Sequence, residues 1–163
     1  MRIRHATLVL AALALALSAC DAGSSRTSAA PAAAPAADLQ FLHPFGAPTR
    51  PFSPAVRVGN LIYLAGQIGT DPSAGGTVVP GGIAAETRQV MENIKRVAES
   101  VGSSMDRLAK CTVFMADMKE WDAMNEVYRT YFTAPNFPAR SALGVNGLAL
   151  NARVEIECIA VAK

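Results

Sequence analysis

The stretch Leu61-Ile62-Tyr63-Leu64-Ala65 is apolar at both parities of an extended chain, with Leu61, Tyr63 and Ala65 on one side and Ile62 and Leu64 on the other. A strand that alternates needs cover on one face, whereas a strand apolar on both needs it on both. The run from Val154 to Ala162 has the same character, broken only by Glu155 and Glu157. A fold for this chain must therefore bury two faces of a sheet.

The remaining periodicity supplies cover for one. Val56-Arg57-Val58 leads through Gly59-Asn60 into Leu61 to Ile68, which predicts a β-hairpin because Gly-Asn tolerates the positive φ of a two-residue turn. Ile83, Val90, Met91, Ile94, Val97, Ala98 and Val101 mark one stripe of a helix over 83–101, stopped by Gly102. Ala109 to Met115 reads as a strand. Asp117 with Glu120 three residues on forms a capping-box pattern, opening a second helix to about Thr133 with Trp121, Met124, Tyr128, Tyr131 and Phe132 along one side. A short strand, Ser141 to Val145, turns at Asn146-Gly147 into the terminal strand and is expected to pair with it as a hairpin. The order predicts an α+β domain with two helices packed on one face of a mixed sheet. The face left bare predicts a symmetric homo-oligomer, since an exposed apolar sheet would be adhesive.

Before Phe41 the chain changes character. Arg2, Arg4 and His5 precede an apolar run, Ala6 to Leu17, too short to span a bilayer, and Leu17-Ser18-Ala19-Cys20 closes it with small residues. This predicts an export signal over 1–20. Leu-Ser-Ala-Cys resembles a lipobox, which would make Cys20 the lipidated first residue of a mature, membrane-anchored protein facing the periplasm; an ordinary secretory signal with an incidental Cys is the alternative. Residues 21–40 are rich in Ala, Ser and Pro and read as a flexible tether, leaving 41–163 as the domain. Removing Arg2 and Arg4 leaves 15 − 2 = 13 basic against 13 acidic residues. A near-neutral chain without a basic stripe argues against a nucleic-acid partner. Cys111 and Cys158 lie in strand-like runs and are expected to be buried free thiols, although export would make a disulfide chemically possible.

The chemistry is narrowed by what is missing. His5 and His43 are the only histidines, so a Ser-His-Asp or Cys-His triad and a multi-His metal site are excluded in practice, and no Asp/Glu cluster has metal-ligand spacing. Arginine and carboxylates remain. In Phe137-Pro138-Ala139-Arg140-Ser141, Pro138 stiffens the approach to Arg140, whose guanidinium can grip a carboxylate through two parallel hydrogen bonds. Glu155, in the expected hairpin, would lie beside Arg140 with Glu157 on the same face. The same three charges could instead form an interface salt-bridge network without chemistry.

Ala65-Gly66-Gln67-Ile68, Asn93-Ile94, Thr112-Val113-Phe114, Asn125-Glu126-Val127-Tyr128, Phe137-Pro138-Ala139-Arg140-Ser141 and Val154-Glu155-Ile156-Glu157 together resemble the RidA (YjgF) family of enamine/imine deaminases, from about Phe52 to Ala162. The resemblance implies a chorismate-mutase-like protomer, a homotrimer with clefts between subunits, and cofactor-free hydrolysis of 2-imino or 2-enamino acids, such as 2-iminopropanoate, to 2-keto acids and ammonia. It assigns Arg140 to the substrate carboxylate, Glu155 to the hydrolytic water, and Phe52, Ala65, Gly66, Asn125 and Ala142 to the substrate's surroundings. Three positions depart from the archetype: Phe52 stands for Tyr, Ala65 for Ser and Ala142 for Cys. Those losses leave open a non-catalytic trimer that captures small carboxylates or amines in the same cleft. A nuclease or chaperone-like role, sometimes attributed to relatives, draws little support from a near-neutral chain.

Overall fold

A computed structural model of the chain describes residues 38–47 and 49–163. The expected export signal, Cys20 and all but the end of the expected tether lie outside the described residues. Six strands form one sheet in the order β1 (Leu39–Leu42), β2 (Ala55–Val58), β3 (Leu61–Ile68), β8 (Val154–Val161), β6 (Leu108–Met115) and β7 (Ala139–Gly144). A two-stranded ribbon, β4 (Thr70–Asp71) and β5 (Thr77–Val78), follows β3. Two helices, α1 (Gly82–Ser100) and α2 (Trp121–Tyr128), complete the α+β domain.

Local chemistry accounts for most of these boundaries. The β2–β3 hairpin closes with Val58 opposite Leu61, and Gly59 takes the positive φ of 59° that the turn requires. Helix α1 ends where Gly102 adopts φ 82° and Ser103 N–H returns to the Ala98 carbonyl at 2.8 Å. Asp117 caps a short 3₁₀ turn by accepting from Lys119 N–H at 2.9 Å. Glu120 does not complete the capping box; its carboxylate is taken by Arg153. Strand β1 begins at Leu39, so the last two residues of the expected tether belong to the sheet.

The core lies between the sheet and the helices. Ile62, Leu64, Val113, Met115, Val154 and Ile156 meet Val90, Met91, Ile94 and Met124 there, all buried. On the sheet's other side Leu61, Tyr63 and Leu143 remain 40%, 45% and 43% exposed. Tyr63 stands opposite Ile159 and Leu61 opposite Val161, so the bare apolar surface crosses adjacent strands. The described residues thus cover one face of the sheet only.

Two expectations fail. The terminal hairpin does not form: β7 runs parallel to β6, pairing Arg140 with Cys111, and β6 separates β7 from β8. The connection from Val145 to Arg153 swings the chain across β6 so that β8 can insert between β3 and β6, where its two-sided apolar run gains a neighbour on each edge. The cysteines are not free thiols. Cys111 and Cys158 face each other in the antiparallel β6–β8 register, with Cα atoms 4.1 Å apart, and form a disulfide. Burial of both was readable from the strand patterns; their opposition depended on a strand pairing that the hairpin expectation had assigned elsewhere.

Candidate active site

Arg140 enters on β7 from a loop stiffened by Pro138, with its side chain directed at α2. Its Nη1 donates to Asn125 Oδ1 at 2.8 Å. Its guanidinium carbon lies 4.6 Å from the centroid of the Tyr128 ring and 5.0 Å from that of Trp121. Helical spacing explains the convergence: residues 121, 125 and 128 are successive members of one α2 face. Two aromatic faces and one amide thus hold the cation in place while most of its five N–H donors remain for a ligand. Asn125, Tyr128, Phe137 and Arg140 line a cavity of about 330 Å3. Burial pushes the Tyr128 phenol up to about 12, against the opposing pull of the Arg140 charge. Among the described residues its hydroxyl has no hydrogen-bond partner.

Glu155 stands elsewhere. Strand β8 turns Val154, Ile156, Cys158 and Ala160 into the core beneath the helices, so alternation sends Glu155 and Glu157 to the bare face. Glu155 pairs with Ile68 on one side and Phe114 on the other. Burial, and after it the Glu157 charge, raises its carboxyl above the ordinary 4.5. Its neighbour is Gly66: a Cβ at that position would collide with Glu155 Oε1. The β3–β8 register shifts between Leu64 and Gln67, a bulge that carries Ala65 and Gly66. Glycine there admits the carboxylate, and the Gln67 amide folds back to donate to the carbonyls of Ala65 and Gly66 at 3.0 and 3.2 Å.

The expected site residues therefore fall into two groups within one copy. Arg140 and Asn125 form the first. Glu155, Gly66 and Ala65 form the second, with half-exposed Phe52 near it, lining with Gly66 a separate cavity of about 320 Å3. Ala142 shares the parity of Arg140 but packs against the core. The expected adjacency of Arg140 and Glu155 is not found in a single copy, because β6 intervenes and the two side chains leave opposite faces of the sheet. Sequence reasoning also missed Trp121 and Tyr128 as the walls around Arg140, although their spacing from Asn125 carried the signal.

A model of the family described as endoribonuclease L-PSP matches residues 44–162. The chain belongs to that family. The L-PSP match spans every strand but β1 and both helices, and it is the family that the RidA resemblance pointed to. Among its relatives, the 2-iminobutanoate/2-iminopropanoate deaminase of Mus musculus is 43% identical over 111 residues, covering 68% of this chain and 81% of that protein. The crystal structure of RidA from an Antarctic Psychrobacter superposes with a TM-score of 0.65 at 36% identity, over 71% of this chain and 91% of that one. A Thermotoga maritima structure titled a putative endoribonuclease gives 0.66 at 42% identity, over 71% and 89%.

Proposed function

We propose that this L-PSP family chain hydrolyses 2-imino and 2-enamino acids to 2-keto acids and ammonia, in sites assembled between copies of a homotrimer. The observation that carries this reading is the caged Arg140, a guanidinium preset for a carboxylate and held by Asn125 at 2.8 Å. The bare sheet face, which carries Glu155 at one end of β8 and Leu61 and Tyr63 towards the other, is the surface a neighbouring copy would cover. Association would then supply one copy's Glu155 to another copy's Arg140. The deaminase name of relatives above 40% identity supports the same chemistry.

In the reaction, Arg140 holds the substrate carboxylate and fixes the adjacent C=N carbon. Glu155, with its raised affinity for protons, accepts a proton from water as the oxygen bonds to that carbon. The proton passes to nitrogen, giving a carbinolamine. Its C–N bond then breaks, nitrogen leaves as ammonia and the oxygen becomes the keto group. An enamine joins the path after protonation at its β-carbon.

The same reading places the protein outside the cytosol, anchored through Cys20. Leu17-Ser18-Ala19-Cys20 supports this, and so does the Cys111–Cys158 disulfide, a bond that persists in oxidising compartments. A second reading, a trimer that captures small carboxylates without turnover, is favoured by Phe52 and Ala65, which put hydrocarbon where the archetype has hydroxyls. The deciding experiment follows ammonia and keto-acid release from freshly generated 2-iminopropanoate by the full chain and by Arg140→Ala. Release by the wild type alone supports the hydrolase. Equal rates sink it, and binding of keto acids without turnover selects the second reading.

A further inference from the structure

Gly66, which makes room for the Glu155 carboxylate, also lines a cavity of about 320 Å3 bounded by the segment 45–54, the end of β3 and α1. The methyl side chain of 2-iminopropanoate would fill a small part of that space. Arg50 and Arg96 line the rest together with Phe45 and Phe52, and no carboxylate does. Asn93 sets this arrangement: its Nδ2 donates to the carbonyls of Ile68 and Thr70 at 3.1 and 2.9 Å, docking α1 on the end of β3 with Arg96 one turn further along. The Arg96 guanidinium stacks on Phe45, 4.0 Å from its centroid. Stacking occupies a face of the guanidinium and leaves its in-plane donors free. Among the described residues neither arginine has an ion-pair or side-chain hydrogen-bond partner, since the ion pairs there involve Arg129 and Arg153. Glu92, one turn before Arg96, is occupied by the Tyr131 hydroxyl at 2.8 Å.

We infer that this cavity receives the substrate's side chain and selects imines of amino acids whose side chain ends in a second acid group, with Arg96 and Arg50 setting the preference. On the hydrolase reading, on which this specificity rests, another copy's Arg140 holds the carboxylate beside the imine and Glu155 serves the C=N carbon. The side chain then leaves that carbon past Gly66, its methylenes against Phe45 and Phe52 and its terminal carboxylate on the two guanidiniums. An apolar side chain of equal length would gain the ring contacts but would desolvate two cations without supplying a partner. A carboxylate supplies one through charge-assisted hydrogen bonds. Water adds and ammonia leaves as before, so 2-iminoglutarate would give 2-oxoglutarate and ammonia.

The test compares two imines of similar length, 2-iminoglutarate and 2-iminohexanoate, each generated from its amino acid by an oxidase and offered to the full chain and to the double variant Arg50→Gln, Arg96→Gln. Both arginines are exposed, and the readout is the ratio of the two kcat/KM values, which a general loss of folded protein would not move. The expected ratio favours 2-iminoglutarate in the wild type and falls on the order of ten-fold or more in the variant, as loss of charge-assisted hydrogen bonds implies. A ratio that favours 2-iminohexanoate, or one that the arginine changes leave intact, overturns the specificity while hydrolysis itself stands. If neither imine nor 2-iminopropanoate is turned over, the hydrolase reading fails instead, and calorimetric titration of 2-oxoglutarate against 2-oxohexanoate decides the cavity. Tighter binding of the diacid that is lost in the variant supports its role as the side-chain pocket, and equal binding overturns it.

Discussion

Arg140 sits on β7, an edge strand with one neighbour, and is fixed by side chains of α2; Glu155 sits on β8, flanked on both sides, and is fixed by the backbone of a bulge. The first is a cage, in which Trp121, Asn125 and Tyr128 each restrain a long flexible side chain. The second is a notch, in which the absence of a Cβ at Gly66 makes room for a short one. A cage is damaged by truncating its occupant and a notch by filling it. The two also differ in completeness: the cage opens on a cavity of its own, while the notch lies on a face that the described residues leave bare.

That difference can be broken most severely at Arg140. Arg140→Ala should lower kcat/KM for 2-iminopropanoate on the order of a thousand-fold, the size expected when one partner of a charge pair is truncated. Mixing is the sharper form of the test. Refolding Arg140→Ala together with Glu155→Gln should restore about a quarter of wild-type activity if each site draws its two residues from different copies of a symmetric assembly, and none if a single copy supplies both.

Glu155→Gln alone should cost on the order of a hundred-fold in kcat, the usual worth of a positioned base. It should also reveal the notch's electrostatics. Burial and Glu157 raise the folded carboxyl above its unfolded value of 4.5, so its contribution to stability is fully present below that pH and is lost as pH rises through the folded value. Denaturant unfolding of wild type and Glu155→Gln should therefore diverge, in favour of the variant, as pH is raised from about 4 towards neutrality.

Gly66→Ala is a milder intrusion. The displaced atom is the end of a flexible side chain, so the fold should survive with an unchanged melting temperature, while kcat falls on the order of ten-fold as the carboxylate swings aside. Tyr128→Phe should have the smallest effect. The ring carries the contact with Arg140, and the hydroxyl, buried without a partner among the described residues, contributes nothing that its removal would forfeit. Activity near wild type with equal or slightly higher stability is expected; a large loss of kcat would give the phenol a part in the reaction.

How much of this was legible in the sequence follows the range of the interactions. The β2–β3 hairpin, α1 and its stop at Gly102, and the buried faces of β6 and β8 were readable because they depend on residues within a turn or a strand of one another. The two-sided apolarity of β3 and β8 also read correctly as a sheet with more apolar surface than the helices cover. Strand order was not legible. Asn146-Gly147 looked like a hairpin turn, yet β8 is drawn past β6 by the burial available between two strands, a choice local chemistry does not encode. The placement of Arg140 on the helix side and the pairing of Cys111 with Cys158 both follow from that one choice. The bulge at Ala65-Gly66 was hidden for a related reason: it exists only relative to the register of β8.

The disulfide has a consequence for how this sheet comes apart. Cys111 neighbours Arg140 across the parallel pairing and joins β6 to the strand that bears Glu155. Closing a loop of 47 residues in the unfolded chain corresponds to about 4 kcal/mol in the loop-entropy description. Amide hydrogen exchange should therefore fall into tiers. The β7 edge would open on its own and exchange early, whereas the amides flanking Cys111 and Cys158 would exchange only through global unfolding, and reduction should speed the slow tier more than the fast one.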